Sequence, residues 1–131
     1  MSMQPGRQVT RIRNPNVPEP ADGRFSNCLV VDGIAYIAGM TSREGEDVYA
    51  QASIFFGKIK HLLEAAGGSM ADVDKITIYV TDINQRQDVS KARQEYFSGD
   101  LPTATAVQVV ARADPAYKVE IDPVAHIGKG R

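Results

Sequence analysis

The chain has 131 residues, 15 basic and 16 acidic side chains, a formal net charge of −1 and no tryptophan. A chain of this length makes one domain that buries enough apolar surface to fold without staples, and 43% apolar with 24% charged residues is an ordinary globular balance. The near-neutral charge excludes long-range steering of nucleic acid or an anionic membrane surface.

Residues 1–16 are polar and carry Arg7, Arg11 and Arg13. They show no signal-peptide pattern, and no apolar run approaches the ~20 residues of a membrane span. Residues 8–13 read as a strand whose arginines are solvated edge charges. Pro15, Pro18 and Pro20 then mark an extended loop, since proline removes backbone donors. Residues 1–21 are thus an extended strand and proline-rich loop leading a single domain over 1–131. Residues 27–31 and 34–40 are apolar runs joined by Asp32-Gly33, a hairpin signal. The single cysteine, Cys28, cannot form an internal disulfide. Beside Leu29, Val30 and Val31 it reads as a buried, inert thiol, in keeping with a reducing, cytoplasmic compartment.

Over residues 48–66, Val48, Ala52, Phe55, Phe56, Ile59, Leu62, Leu63 and Ala66 recur at three- and four-residue steps. They form one apolar stripe of a helix, which Gly67-Gly68 ends. Residues 75–81 alternate, with Ile76, Ile78 and Val80 on one side and Lys75, Thr77, Tyr79 and Thr81 on the other. A second helix is expected over about 85–97, opened by an Asn84–Gln87 capping box, with Val89, Ala92, Tyr96 and Phe97 inward. Strands over 103–111 and 117–122 follow, joined at the Asp114-Pro115 turn, and an extended run continues to Ile127.

The order is β-β-β-α-β-α-β-β, an α+β domain. Two helices cover only one face of a sheet with this many strands. Alternation in the last strands groups Thr103, Thr105, Val107 and Val109 with Tyr117, Val119 and Ile121, and places Ala104, Ala106, Gln108 and Val110 with Lys118, Glu120, Asp122 and Val124. Residues 34–40 are apolar on both faces, which in so small a domain points to a partner chain over the second face.

The run from Leu62 to Ser69 (Leu-Leu-Glu-Ala-Ala-Gly-Gly-Ser), followed by Ala71 to Asp82, resembles the central signature of the RidA/YjgF family, also called the L-PSP endoribonuclease family. Gln51 matches the glutamine opening that family's first helix. Gly23-Arg24-Phe25-Ser26 resembles its Gly-Pro-Tyr-Ser segment, and Ala38-Gly39-Met40 its Ser-Gly-Gln. Tyr96-Phe97, Pro102, Ala106-Val107 and Val119-Glu120-Ile121 fall in register. The resemblance spans nearly the whole chain from about residue 22. It implies the chorismate-mutase-like fold: a mixed sheet with two helices on one face, three copies forming a homotrimer, and small-molecule clefts between subunits.

By the same resemblance, active members hydrolyse enamines and imines derived from amino acids, yielding 2-keto acids and ammonia. They clamp the substrate carboxylate with an arginine in a Pro-Ala-Arg-Ser/Thr segment. Here that segment reads Pro102-Thr103-Ala104-Thr105. Ala104 stands at the arginine's place, Phe25 at a tyrosine's, Arg24 at a proline's and Met40 at a glutamine's, while Glu120 is kept. A guanidinium gives a carboxylate two parallel charge-assisted bonds, an anchor of about 2–5 kcal/mol that alanine does not supply.

Glu120, between Val119 and Ile121, is the candidate general base for water; otherwise it pairs with Lys118 or a neighbouring subunit's arginine. Phe25, Met40, Ala104 and Thr105 are candidate ligand-binding positions. Arg24 and Arg93 are candidates to restore the lost charge, each with a solvated surface role as its alternative. His61 and His126 have no metal-ligand spacing to each other or to Cys28. With no phosphate loop and no dinucleotide fingerprint either, no metal or cofactor is expected. The expectation is a homotrimer that binds a small metabolite and hydrolyses an imine or enamine of non-standard structure. The alternative is a binding module without chemistry. Endoribonuclease activity stands third, for lack of a basic patch with interleaved aromatics. No nucleic-acid or membrane partner is expected.

Overall fold

The computed structural model describes residues 8–39 and 47–130. Strands β1 (Val9–Ile12), β2 (Cys28–Val31) and β3 (Ile34–Ile37) form an antiparallel meander. The β2–β3 hairpin turns on Asp32 at φ 50° and Gly33 at φ 83°, two consecutive left-handed residues, which is what a tight hairpin matching strand twist requires. Helix α1 (Val48–Ala65) follows, then β4 (Val73–Val80), α2 (Arg86–Gln94), β5 (Thr103–Gln108) and β6 (Val119–His126). Among the described residues no helix is long and apolar enough to cross a membrane.

The six strands make one mixed sheet ordered β1-β2-β3-β6-β4-β5, with β5 parallel to β4 and the other pairs antiparallel. The chain passes from β3 through α1 to β4 and from β4 through α2 to β5. Both helices lie on one face, packed on each other, with α1 against β6. β6 runs through Pro123 without a break. Its ladder with β3 ends at Val124, next to the proline, so the missing N–H falls where that pairing stops.

Helix α1 begins at Asp47, whose carboxylate accepts from Ala50 N at 2.7 Å. It ends with Gly67 at φ 86°, where Gly67 N bonds Glu64 O and Gly68 N bonds Leu63 O, the paired closure that glycine makes cheap. Its stripe of Val48, Ala52, Phe55, Phe56, Ile59, Leu62 and Leu63 is buried. Each large side chain there contributes about 1.5–3 kcal/mol. The stripe meets Ile76, Ile78 and Val80 of β4, with Val119 and Ile121 of β6 on the same sheet face.

The start of the second helix differs from expectation. Asp82, not Asn84, supplies the cap: its side chain accepts from Asn84 N ahead of a 3-10 turn at Ile83–Gln85, and α2 itself has no side-chain cap bond. Two positive charges in its last turn, Lys91 and Arg93, suit the helix dipole instead. The capping box that does form joins Ser69 and Asp72 in the turn before β4. The buried Asp72 also accepts from Gly128 N at 3.0 Å, tying the C-terminal segment down.

The facing of the last strands is the larger correction. β5 does not pair with β6; β4 lies between them. Thr105 is level with Thr77 and Asp122, and Val107 with Tyr79 and Glu120. Thr103, Thr105 and Val107 therefore share the helix-free face with Glu120 and Asp122, while Ala104 and Ala106 face the helices. On the helix-free face Val9, Tyr36 and Val107 are 49%, 52% and 37% exposed, and every residue of the edge strand β5 is exposed.

Candidate functional site

The candidate residues fall into two groups on opposite faces of the sheet. On the helix side, α2 and β5 leave a groove with two adjoining hollows of about 270 and 200 Å³. Arg93 and Ala104 line both; Phe97, Leu101 and Pro102 form the apolar wall of one, and Arg86, Ser90 and Ala106 border the other. The structure thus brings together two of the positions the sequence singles out. Arg93 is half-buried, and its one bond to a described residue is a long one from Nη2 to Ser90 Oγ at 3.5 Å. No described carboxylate pairs with it, and it lines both hollows. A third hollow, of about 280 Å³ beside Lys60, Ser69 and Tyr96, contains none of the candidate residues.

On the helix-free face Glu120 has a partner the sequence does not announce. Arg112, in the loop between β5 and β6, donates from Nη2 to Glu120 Oε1 at 2.5 Å and from Nη1 to Val119 O at 2.8 Å. Its guanidinium lies 5.7 Å from the Tyr117 ring centre. The Arg112 side chain is 9% exposed and that of Glu120 26%. Burial raises the Glu120 carboxyl above the ordinary carboxylate range; Arg112 pulls it down and Asp122 pushes it up. Glu120 Oε2 takes no hydrogen bond from a described residue. Its carboxyl group lies over Gly39, where a Cβ would collide with it, so the glycine two residues past β3 leaves room for this side chain.

The loop carrying Arg112 is fixed from behind. Gln51 is 3% exposed; its Nε2 donates to Ala116 O at 2.8 Å and its Oε1 accepts from Lys118 N at 2.9 Å. Asp114 Oδ1 accepts from Ala116 N at 2.8 Å, closing a local turn. We expect Gln51→Ala to cost about 1–3 kcal/mol, the penalty for leaving loop backbone groups unsatisfied. Urea unfolding would read the loss, and amide exchange at Lys118 should accelerate with it.

The remaining candidates lie apart. Arg24 has an 80% exposed side chain paired with Asp22, which is the surface alternative. Phe25 is 48% exposed. Thr105 is exposed on the face away from Ala104. Met40 lies outside the described residues. His126 pairs with Asp74 and remains half exposed. Burial, with a contribution from Glu19, pushes the Cys28 thiol up to about 11, so it stays protonated and unreactive at neutral pH. Among the described residues no three His, Cys, Asp or Glu side chains gather as a metal cluster would need.

Arg112 is the residue of the candidate site that the sequence alone does not yield. Its signal, an arginine beside the Asp114-Pro115 turn eight positions before Glu120, acquires meaning only once strand register shows where the loop folds back.

The six-stranded order with both helices on one face defines a domain of the RidA/YjgF fold, as the solved structures below bear out. The chain belongs to the endoribonuclease L-PSP family, whose model matches residues 16–127. It is 32% identical over 118 residues to a RutC family protein of Pyrococcus horikoshii, covering 85% of this chain and 92% of that one. A crystal structure of a protein of unknown function from Pseudomonas aeruginosa superposes with a TM-score of 0.89 at 35% identity, covering 95% of this chain and 96% of the other. RidA from the Antarctic bacterium Psychrobacter sp. PAMC 21119 superposes with a TM-score of 0.82 at 30% identity over 90% of this chain and 99% of that one.

Proposed function

We propose that three copies of this chain assemble through their helix-free sheet faces, and that the clefts between them bind a small anionic metabolite and hydrolyse an imine or enamine. The observation that carries this reading is the division of the site. The Arg93 groove opens at β5, the edge strand among the described residues, and Glu120 sits on the other face of the same sheet. Neither half suffices, and a neighbouring copy is the simplest means of placing one chain's Glu120 at another's groove. The exposed Val9, Tyr36 and Val107 supply apolar surface for such an assembly.

Within the cleft, Arg93 takes the anchoring role from position 104, where alanine stands in place of the family's arginine. It reaches the ligand from α2 instead of from the strand, so the ligand's charged end is displaced relative to a 2-imino acid held by a strand arginine. The non-standard substrate expected from the sequence follows from this shift. Glu120, its carboxyl raised by burial, takes a proton from water at Oε2 as the water oxygen bonds the imine carbon and the C=N π pair goes to nitrogen. It returns that proton to the nitrogen to give the carbinolamine, then takes the hydroxyl proton and passes it to the amine as the C–N bond breaks, leaving the carbonyl product and ammonia.

The test is turnover on a panel of imines with and without a carboxylate. Wild type should turn over some member, while 2-aminoacrylate is processed poorly. Glu120→Gln should abolish the activity. Arg93→Ala should raise KM for anionic members tenfold or more, for a loss of about 1.5–3 kcal/mol in a charge-assisted bond. Binding of the panel without turnover would replace this reading with the non-catalytic binding module, which the alanine at position 104 favours. RNA cleavage is weakly supported: the net charge of −1 gives little attraction for phosphates, and the two histidines lie apart, His61 exposed on α1 and His126 held by Asp74.

A further inference from the structure

We infer that Arg112 is the positioning residue for Glu120, binding one carboxylate oxygen so that the other is presented in a fixed direction on the helix-free sheet face. The inference rests on the reading of Glu120 as the group that handles water, but its geometry stands independently. Arg112 donates at once to Glu120 Oε1 and to the backbone oxygen of Val119, the adjacent residue. A guanidinium whose fork spans a side chain and the neighbouring main chain cannot swing without breaking both bonds. The Tyr117 ring borders its flat face, and Gln51 holds the loop that carries it through Ala116 and Lys118. Three elements thus fix one carboxylate, α1 through Gln51, the loop through Arg112 and β6 itself, and Gly39 past β3 leaves it room. Oε1 is engaged, and Oε2 has no described donor.

The arrangement resolves a conflict inherent in the position. A carboxylate among apolar neighbours tends to hold its proton and so ceases to be a base near neutrality. Asp122, two residues along the same strand, adds to this tendency, although Lys75 partly offsets the Asp122 charge. Tyr79 faces Glu120 from β4 and Val107 lies beyond it on β5; Gly39 on the β3 side brings no charge. Among the described groups around Glu120, Arg112 is the cation that favours the ionised form. It therefore both orients the base and opposes the upward push of burial.

The experiment follows the Glu120 carboxyl by carbon-detected NMR titration in the full-length protein, for wild type, Arg112→Gln, Arg112→Lys and Tyr117→Leu. Arg112→Gln should raise the Glu120 midpoint by about one pH unit or more, a tenfold change in proton affinity. Arg112→Lys should recover part of that shift, because it keeps the charge and loses the fork. Where wild type turns over an imine, the acidic limb of the kcat profile should move with the NMR midpoint, and kcat should fall more than KM rises. A Glu120 midpoint unmoved in Arg112→Gln would overturn the inference. If Arg112→Gln does not fold, Tyr117→Leu, which leaves both polar partners in place, should broaden the Glu120 carboxyl resonance and shift its midpoint by a smaller amount; an unchanged resonance would count against positioning. An inactive wild type would remove the hydrolase reading while leaving the titration result to decide the role of Arg112.

Discussion

Phe56→Ala is expected to destabilise the domain by about 3–5 kcal/mol, the usual cost of removing a fully buried ring. Phe56 is completely buried. Its ring centre lies 5.6 Å from that of Tyr96, tilted by 31°, and 5.7 Å from that of Phe97, nearly edge-on at 88°. Such aromatic contacts add about 0.5–1.5 kcal/mol each beyond the area they bury. The cost is a large share of the roughly 5–15 kcal/mol that holds a domain of this size, so the melting temperature should fall by on the order of 10 °C or more. Phe56→Leu, which keeps most of the volume, should cost markedly less. The effect reaches the site because Phe97 is shared between the core and the groove wall. With Phe56 gone, the segment just after α2 loses two ring contacts to α1 and the groove wall at Phe97 loosens, while Tyr49 of α1 still holds Glu95 and Lys91. Paired urea and calorimetric unfolding would measure this; a loss below about 1 kcal/mol would show that the cavity collapses and that the three rings do not act as a unit.

The parts of this fold that are legible in the sequence are those whose signals are local. The period of α1 contains its buried stripe residue by residue. Asp32-Gly33 can satisfy a tight turn because both conformations are left-handed. Alternation in β4 sorts Ile76, Ile78 and Val80 from Lys75, Thr77 and Tyr79 without reference to any partner strand. The facing of β5 relative to β6 is different in kind. Each strand alternates clearly by itself, but their relative parity depends on how many residues the intervening loop consumes and on which strand separates them. Here β4 intervenes, paired in parallel on one side and antiparallel on the other.

That one undetermined parity has two consequences for the site. Alternation alone puts Ala104 and Glu120 on the same face, whereas they lie on opposite ones, and it gives no sign of Arg112, whose significance comes wholly from where its loop returns. Gln51 shows the same limit more mildly. Its place at the start of α1 is readable, yet its hold on Ala116 and Lys118 joins residues 65 and 67 positions apart. Hydrophobic periodicity orders what each element buries, whereas a polar site depends on register between elements distant in sequence.

Val107→Glu is expected to convert a trimer into a monomer and to abolish function while leaving every candidate site residue in place. Val107 lies on the helix-free face, level with Tyr79 and Glu120 across the sheet, on β5, the edge strand of the sheet among the described residues. If copies close over this face, a carboxylate at 107 loses its hydration two strands away from Glu120, a cost of several kcal/mol per copy. Light scattering coupled to size exclusion should give about three times the 14.2 kDa chain mass for wild type. It should give a single chain mass for the variant at micromolar concentration. His61→Glu, an equal charge change on the exposed side of α1, should remain trimeric. The monomer should keep its far-ultraviolet circular dichroism and both half-sites, yet turn over nothing, because its Arg93 groove and its Glu120 lie on opposite faces of one sheet. Complementation makes the same point from the other direction. Mixed and reassembled Glu120→Gln and Arg93→Ala chains should regain part of the activity that each lacks alone, since some clefts then receive Arg93 from one variant and Glu120 from the other. A Val107→Glu protein that stays trimeric and active would place the assembly surface elsewhere, and failure of the mixed chains to recover any activity would confine the site to a single chain.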